Sequence, residues 1–153
     1  MCLEAKTKIE IMFYEANKEN DFPWWASKEA VVDFLHYKMK PYEDSIEDIE
    51  NAMDYVFNGP GGFVMLTHFN EQLSGVLVML NTGMKGYIPE NILLMVSVDP
   101  ELRGNGIGEK LIERCIAECE GEVKLHVEYE NPAKRLYERI GFTTKYAEMR
   151  LSQ

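Results

Sequence analysis

The stretch from Ile92 to Lys110 constrains the fold more than any other part of the chain. Residues 92–98, Ile-Leu-Leu-Met-Val-Ser-Val, form an apolar run with β-branched members that stops at Asp99-Pro100. A run of this length ended by a turn signal predicts a strand, about Asn91 to Val98. Glycines follow at positions 104, 106 and 108, and apolar residues then recur at Ile107, Leu111, Cys115 and Ile116 with helical spacing. The segment therefore reads as strand, glycine-rich loop, helix.

Such a loop has a definite chemistry. Glycines let backbone N–H groups approach a ligand with no Cβ in the way, and a new helix leaves its first N–H groups unpaired. Together they suit a phosphate. Two familiar phosphate motifs fit badly here. A dinucleotide fingerprint needs G-x-G-x-x-G almost directly after the strand, with an acidic residue about twenty positions on. The spacing present is G-x-G-x-G behind a proline-containing link. A P-loop needs Gly-Lys-Ser/Thr, and that tripeptide does not occur.

The remaining elements can be read in order. Ile9, Ile11 and Phe13 alternate with Glu10, Met12 and Tyr14, predicting a half-buried first strand that the link from Asn17 to Trp25 breaks. Ser27 caps a helix with Val31, Phe34, Leu35 and Met39 on one face, and Pro41 ends it. Ser45-Ile-Glu-Asp resembles a capping box opening a second helix, with Ile46, Ile49, Met53 and Val56 inward. After the breaker Asn58-Gly-Pro-Gly-Gly, residues 63–69 and 73–80 flank Asn70-Glu-Gln as a hairpin. The helix after the glycine loop reaches about Glu120, where Gly121 stops it, and Val123, Leu125 and Val127 predict a fifth strand. Asn131-Pro132 starts a short helix with Ala133, Leu136, Tyr137 and Ile140 on one face, ending at Gly141. The last residues, through Ala147-Glu-Met-Arg-Leu, can form a closing strand pair. Without a repeat, linker or low-complexity tract, residues 1–153 read as one domain of order β-α-α-β-β-β-α-β-α-β-β.

Composition bounds the function. No apolar run is long enough to span a bilayer and the N-terminus has no signal-peptide pattern, so a soluble cytoplasmic protein is expected. Three cysteines argue against a disulfide framework. Cys115 and Cys119 lack zinc-ligand partners and read as core packing. A formal net charge of −10 disfavours nucleic acid as a partner. An anionic ligand must then be held by local amides and nearby cations, of which Arg103, Lys110, Arg114, Lys134 and Arg135 are candidates.

The glycine segment resembles the acyl-CoA-binding signature of the GNAT family of N-acetyltransferases, Gln/Arg-x-x-Gly-x-Gly/Ala, matched by Arg103, Gly106 and Gly108. A second family segment stands downstream at the expected distance, Asn131-Pro-Ala-Lys-Arg-Leu-Tyr137-Glu-Arg-Ile-Gly141-Phe142. The resemblance covers roughly residues 62 to 151, while the first sixty or so match only in element order. It implies an α/β (mixed α+β) fold with a central sheet of about seven strands and about four helices, strands four and five splayed to admit a pantetheine arm. It also implies acetyl-CoA as cosubstrate and a small-molecule or peptide amine as acceptor, in a monomer or homodimer. Amides of Arg103, Gly104, Asn105, Gly106, Ile107 and Gly108 would cradle the diphosphate. Backbone at Val96, Ser97 and Val98 would pair with the pantetheine, and Asn131 matches a cofactor-contacting position, though capping explains it equally well.

Tyr137 matches the family position whose phenol protonates the departing thiolate. With phenol near pKa 10 and thiol near 8.5, full transfer is uphill by about 1.5 units in water, so the site must shift these values or donate only a hydrogen bond. Histone-type relatives use a strand-four glutamate as base; the equivalent position here is Ile92. Glu90, two residues earlier, is the candidate base acting through water, against a reading as a solvated loop residue. His126 is a second candidate, with His36 and His68 behind it. The acceptor side holds Phe22-Pro-Trp-Trp25 and Tyr42-Glu-Asp44, whose aromatic faces and carboxylates would suit a cationic amine. The alternatives are a non-catalytic acyl-CoA-binding module and, with a poorer motif match, a nucleotide-binding protein.

Overall fold

The computed structural model describes residues 10–153. Five strands form one sheet in the order β1-β2-β3-β4-β5: β1 is Met12–Ala16, β2 Gly62–Phe69, β3 Gln72–Asn81, β4 Asn91–Val98 and β5 Val123–Leu125. All neighbours are antiparallel except β4 and β5, which run parallel. The helices are α1 (Lys28–Lys38), α2 (Ile46–Asn58), α3 (Ile107–Glu118) and α4 (Ala133–Ile140).

Period-two alternation in the central strands builds two cores, one on each face. Val64, Leu66, Val76 and Val78 pack with α1 and α2, while Met65, Leu77 and Met79 pack with α3 and α4. Burial on both sides explains why β3 reads as a continuous apolar run. The helix starts follow the predicted caps: Ser27 Oγ accepts from the Ala30 N–H at 3.2 Å, and Ser45 Oγ from the Asp48 N–H at 3.1 Å. Ile49, Met53 and Val56 turn inward as expected, but Ile46, in the first turn of α2, stays exposed. Asn70 and Glu71 adopt positive φ, closing β2 and β3 with a two-residue turn of the hairpin type.

Three further expectations change. The first strand is Met12–Ala16, and Ile9 lies outside the described residues. The strand-five pattern through Val127 shortens to Val123–Leu125, because the chain leaves the sheet at His126. The seven-strand sheet becomes five among the described residues, and no strand forms beyond Gly141. Met149 and Leu151 are exposed there, and Glu148 pairs with Arg150 on the same tail. A three-residue β5 offers too short an edge to fix a longer partner in register. Cys115 is buried in the α3 core and Cys119 half-buried, both as free thiols.

Gly62 fixes where β2 starts. Its φ is +138°, and a Cβ there would lie 2.1 Å from the Met79 carbonyl oxygen and 2.9 Å from Val56 Cγ1. Since the closest clash is with backbone, Gly62→Ala is expected to destabilise by about 2–4 kcal/mol, read as a lower urea midpoint with unchanged slope. An unchanged midpoint would mean that β2 re-registers at no cost.

Candidate active site

The site grows from the C-terminal end of β4. Asp99 anchors the turn: its N–H donates to the Ser74 carbonyl at 2.9 Å, its Oδ1 accepts from the Glu101 N–H at 3.0 Å, and Lys38 Nζ stands 3.8 Å away. A 3-10 turn over Pro100–Leu102 follows, and Asn105 Nδ2 donates to the Leu102 carbonyl at 2.7 Å. These bonds hold the loop while Gly104 and Gly106 take φ of +86° and +73°. A Cβ at either glycine would meet nothing within 4 Å, so both face open space. Gly106 caps α3 with no side-chain acceptor for the first N–H groups of the helix. An uncapped helix start beside open glycines is a ready anion seat.

Gly108 does something else. Leu136 Cδ2 of α4 would lie 3.3 Å from its Cβ and Val98 Cγ2 of β4 3.7 Å, so its bare Cα lets α3, α4 and β4 close on one another. Ile107 is buried beneath the turn. Arg103 is engaged elsewhere, its Nη2 donating at 3.1 Å to the Lys38 carbonyl at the end of α1, where a cation is favourable.

Beside the turn, β4 runs short of partners. It pairs with β5 only over Asn91, Ile92 and Leu93. Its register with β3 slips where Met79 faces Leu93 and Val78 faces Met95. Leu94 therefore has no register partner in either neighbour, a bulge at the point where β5 departs. From Leu94 to Val98 the outer edge carries unpaired backbone, including that of Val96, Ser97 and Val98. No pattern of side chains could have announced the bulge; it is a backbone event in a uniformly apolar run.

Tyr137 sits in the α3 and α4 core with 8 % of its surface exposed, edge-on to the Phe142 ring at 6.0 Å. Burial pushes its phenol up to about 12. Its hydroxyl donates to no described residue. Asn131 acts at the start of α4, its Oδ1 accepting from the Ala133 N–H at 2.9 Å.

Glu90 stands at the opposite end of β4 from the glycines. Its Oε2 accepts from the Glu122 N–H at 2.7 Å and packs on Gly121, joining the approach to β4 to the approach to β5. That bond holds its carboxyl below the ordinary glutamate value. His126 is exposed just past β5. His68 stacks on Trp25 and accepts from the Glu71 N–H, and His36 Nδ1 meets the Asp44 carbonyl at 2.7 Å. The loop between α1 and α2 reaches the loop between β5 and α4: Tyr42 donates to the Glu130 carbonyl at 3.2 Å. A groove of about 560 Å³ between α1 and α2, lined by Lys28, Asp33, Glu50 and Asp54 among others, includes none of the glycine-turn residues.

A family profile for the acetyltransferase (GNAT) domain matches residues 58–144. No curated protein is similar enough in sequence to match. Among solved structures, the aminoglycoside N-acetyltransferase AAC(6')-Iy in complex with CoA superposes with a TM-score of 0.66 at 11% identity, over 94% of this chain and 95% of that one. The aminoglycoside acetyltransferase meta-AAC0020 from an uncultured soil metagenomic sample, in complex with sisomicin, gives 0.62 at 17%, over 94% and 95%. An integron cassette protein from V. cholerae gives 0.63 at 17%, over 94% and 93%. At these identities the likeness is one of fold.

The Glu90 clamp has a pH signature. A carboxyl whose folded value is lowered stabilises the fold above its unfolded value, and that stabilisation is lost as pH falls through the lowered folded value. Wild type is expected to be more stable than Glu90→Gln at neutral pH, with the difference closing under acid in urea titrations. A difference independent of pH would mean that the Glu90 charge takes no part in the clamp.

Proposed function

The chain belongs to the GNAT acetyltransferase family, and from that membership we propose that it transfers an acetyl group from acetyl-CoA to a primary amine by direct attack in a ternary complex. The observation that carries this reading is the unpaired edge of β4 from Leu94 to Val98 running into an open, uncapped glycine turn. An extended amide-bearing arm can pair with that edge as an added strand does, while the amides from Arg103 to Gly108 receive a diphosphate. Acetyl-CoA has both parts in that order. The fold relative bound to CoA supports the same donor.

Attack on a thioester builds negative charge on the carbonyl oxygen and then on sulfur. Preorganised backbone N–H groups stabilise the first, and those of the bulge around Leu94 are the ones not committed to a neighbouring strand's register. For the second, Tyr137 is the donor. With its phenol near 12 against an ordinary thiol near 8.5, complete proton transfer is uphill by about 3.5 units, so Tyr137 stabilises the leaving thiolate by hydrogen bonding while solvent supplies the proton. Direct transfer needs no covalent enzyme intermediate.

The acceptor is read as a small-molecule or peptide amine, with no role for nucleic acid given the net charge of −10. The sisomicin-bound fold relative, an aminoglycoside acetyltransferase, supports an amine-bearing acceptor. Among the described residues no helix is long and apolar enough to cross a membrane. One observation favours a non-catalytic acyl-CoA-binding module instead: Glu90, the candidate base, has its Oε2 held by the Glu122 N–H. The hydroxyl on the buried Tyr137 ring, without a partner among the described residues, favours the enzyme, since packing needs only the ring. Thermal shift with acetyl-CoA, CoA, NAD and ATP, followed by thiol release with an amine panel, separates the readings. Binding without amine-dependent release supports the module.

Two variants refine the test. Tyr137→Phe is expected to lower turnover about 10²-fold with acetyl-CoA affinity unchanged, and the wild-type rate should show no Tyr137 limb below about pH 10. Full turnover by the variant would assign Tyr137 to packing. Gly106→Ala meets no neighbour but strains a left-handed φ, so it is expected to cost about 1 kcal/mol in stability while weakening acetyl-CoA binding about tenfold or more. Undiminished affinity in calorimetry would remove the turn from the site.

A further inference from the structure

A second pocket lies at the far end of β4 from the glycine turn. About 340 Å³ in volume, it opens where the end of α3 meets the starts of β2 and β4 and the end of β3. That is room for a small organic molecule. Phe63 and Met79, both members of the core beneath α3, contribute its apolar part. Asn81, Asn91, Glu118, Cys119 and Glu120 contribute the polar part, and among the described residues no lysine, arginine or histidine lines it.

Asn91 is the most informative of these. It retains 5 % of its surface, and its Nδ2 donates to the Glu120 carbonyl at 2.7 Å and to the Glu122 carbonyl at 3.2 Å. Those bonds fix the amide and commit its donor, while its Oδ1 accepts from no described residue. An acceptor in a side chain this buried, left without a donor, calls for an N–H group from whatever fills the pocket.

The surrounding charge is negative. α3 ends here with no basic residue in its last turn to offset the negative end of its dipole. Glu118 meets Arg114 at 3.3 Å on the exposed helix surface, and Glu120 pairs with no described cation. Burial, with Glu118 and Glu15 nearby, pushes the Cys119 thiol above its ordinary value, so the thiol stays neutral and the charges acting on it are carboxylates. The groove between α1 and α2 is also acidic, but Lys28 stands within it, paired with Glu19 and Asp54. There the chain supplies its own cation, and at Asn91 no described residue does so. Among the described residues no three metal-ligating side chains converge, and the apolar surface of Phe63 and Met79 suits a carbon chain, so the complement is an organic cation and not a bare metal ion.

We infer that this pocket binds a small alkylammonium ion, which gives an N–H to Asn91 Oδ1, sets its charge against Glu118 and Glu120 and lays its chain on Phe63 and Met79. It is a site separate from acyl transfer, and it stands whether or not the chain is a transferase.

Amide shift mapping of the full chain with n-butylammonium, n-butanol and butyrate tests the assignment. Saturable shifts are expected with the cation alone, at the Asn81 and Asn91 side-chain amides, at Gly62 and from Glu118 to Glu122. Glu118→Gln with Glu120→Gln changes two exposed side chains, so the protein is expected to melt close to wild type and to bind n-butylammonium about tenfold or more weakly. Should the paired variant melt far lower, Glu120→Gln alone makes the same comparison, with about threefold weakening expected. Equal shifts with n-butanol would make the pocket an uncharged crevice and overturn the assignment. So does an affinity that these substitutions leave unmoved, or shifts confined to residues 94–98 and the glycine turn, which would put the ammonium ion at the transfer site alone.

Discussion

A β-strand must find partners for its backbone on both sides or leave polar groups facing outward, and β4 is caught between the two conditions. On one side it is zipped to β3 apart from a one-residue slip; on the other it loses β5 after Leu93. The slip and the loss coincide at Leu94. What remains is a short length of strand edge that leads directly into glycines at positive φ and a helix start without a cap. Edge, bulge and turn are all backbone features, and they share one consequence: amides left without an internal acceptor on the outer edge of β4 and at the glycines after Arg103, whose own N–H is taken by the Pro100 carbonyl. The two cores, the caps and the Asp99 bonds serve to hold them in place.

The arrangement also explains how a chain of net charge −10 can receive an anion. The long-range field is unfavourable, so attraction must come from dipoles within a few ångströms, which salt and distant charges influence little. Arg103, the cation within the signature itself, is turned toward the end of α1 and secures the frame. Part of the acidic excess lies on α2, where Glu47, Asp48, Glu50 and Asp54 have no basic residue among them.

Much of this was legible in residue types. The strand, glycine turn and helix between Ile92 and Ile116 follow from an apolar run, three glycines and a helical period, and Ser27 and Ser45 cap where their types predict; α4 instead has Pro132 at its cap position, with Asn131 Oδ1 taking the Ala133 N–H just before the helix. Tyr137 stood out through the segment Asn131 to Phe142. Other features had no residue-level signal. The bulge at Leu94 is a slip in register inside apolar residues. The Glu122 N–H that engages Glu90 comes from a residue 32 positions away. The tail after Gly141 has strand-like alternation, but a strand forms only against an edge, and β5 supplies three residues of one.

The central claim is that amides from Arg103 to Gly108 and along the free edge of β4 hold a CoA thioester. Amide chemical-shift mapping by two-dimensional NMR, with acetyl-CoA titrated into nitrogen-15-labelled protein, tests it most directly. The account predicts the largest shifts at Gly104, Gly106, Gly108 and from Leu94 to Val98, with α1, α2 and β1 little affected. Saturable binding that leaves the glycine amides unmoved while shifting residues elsewhere would contradict it.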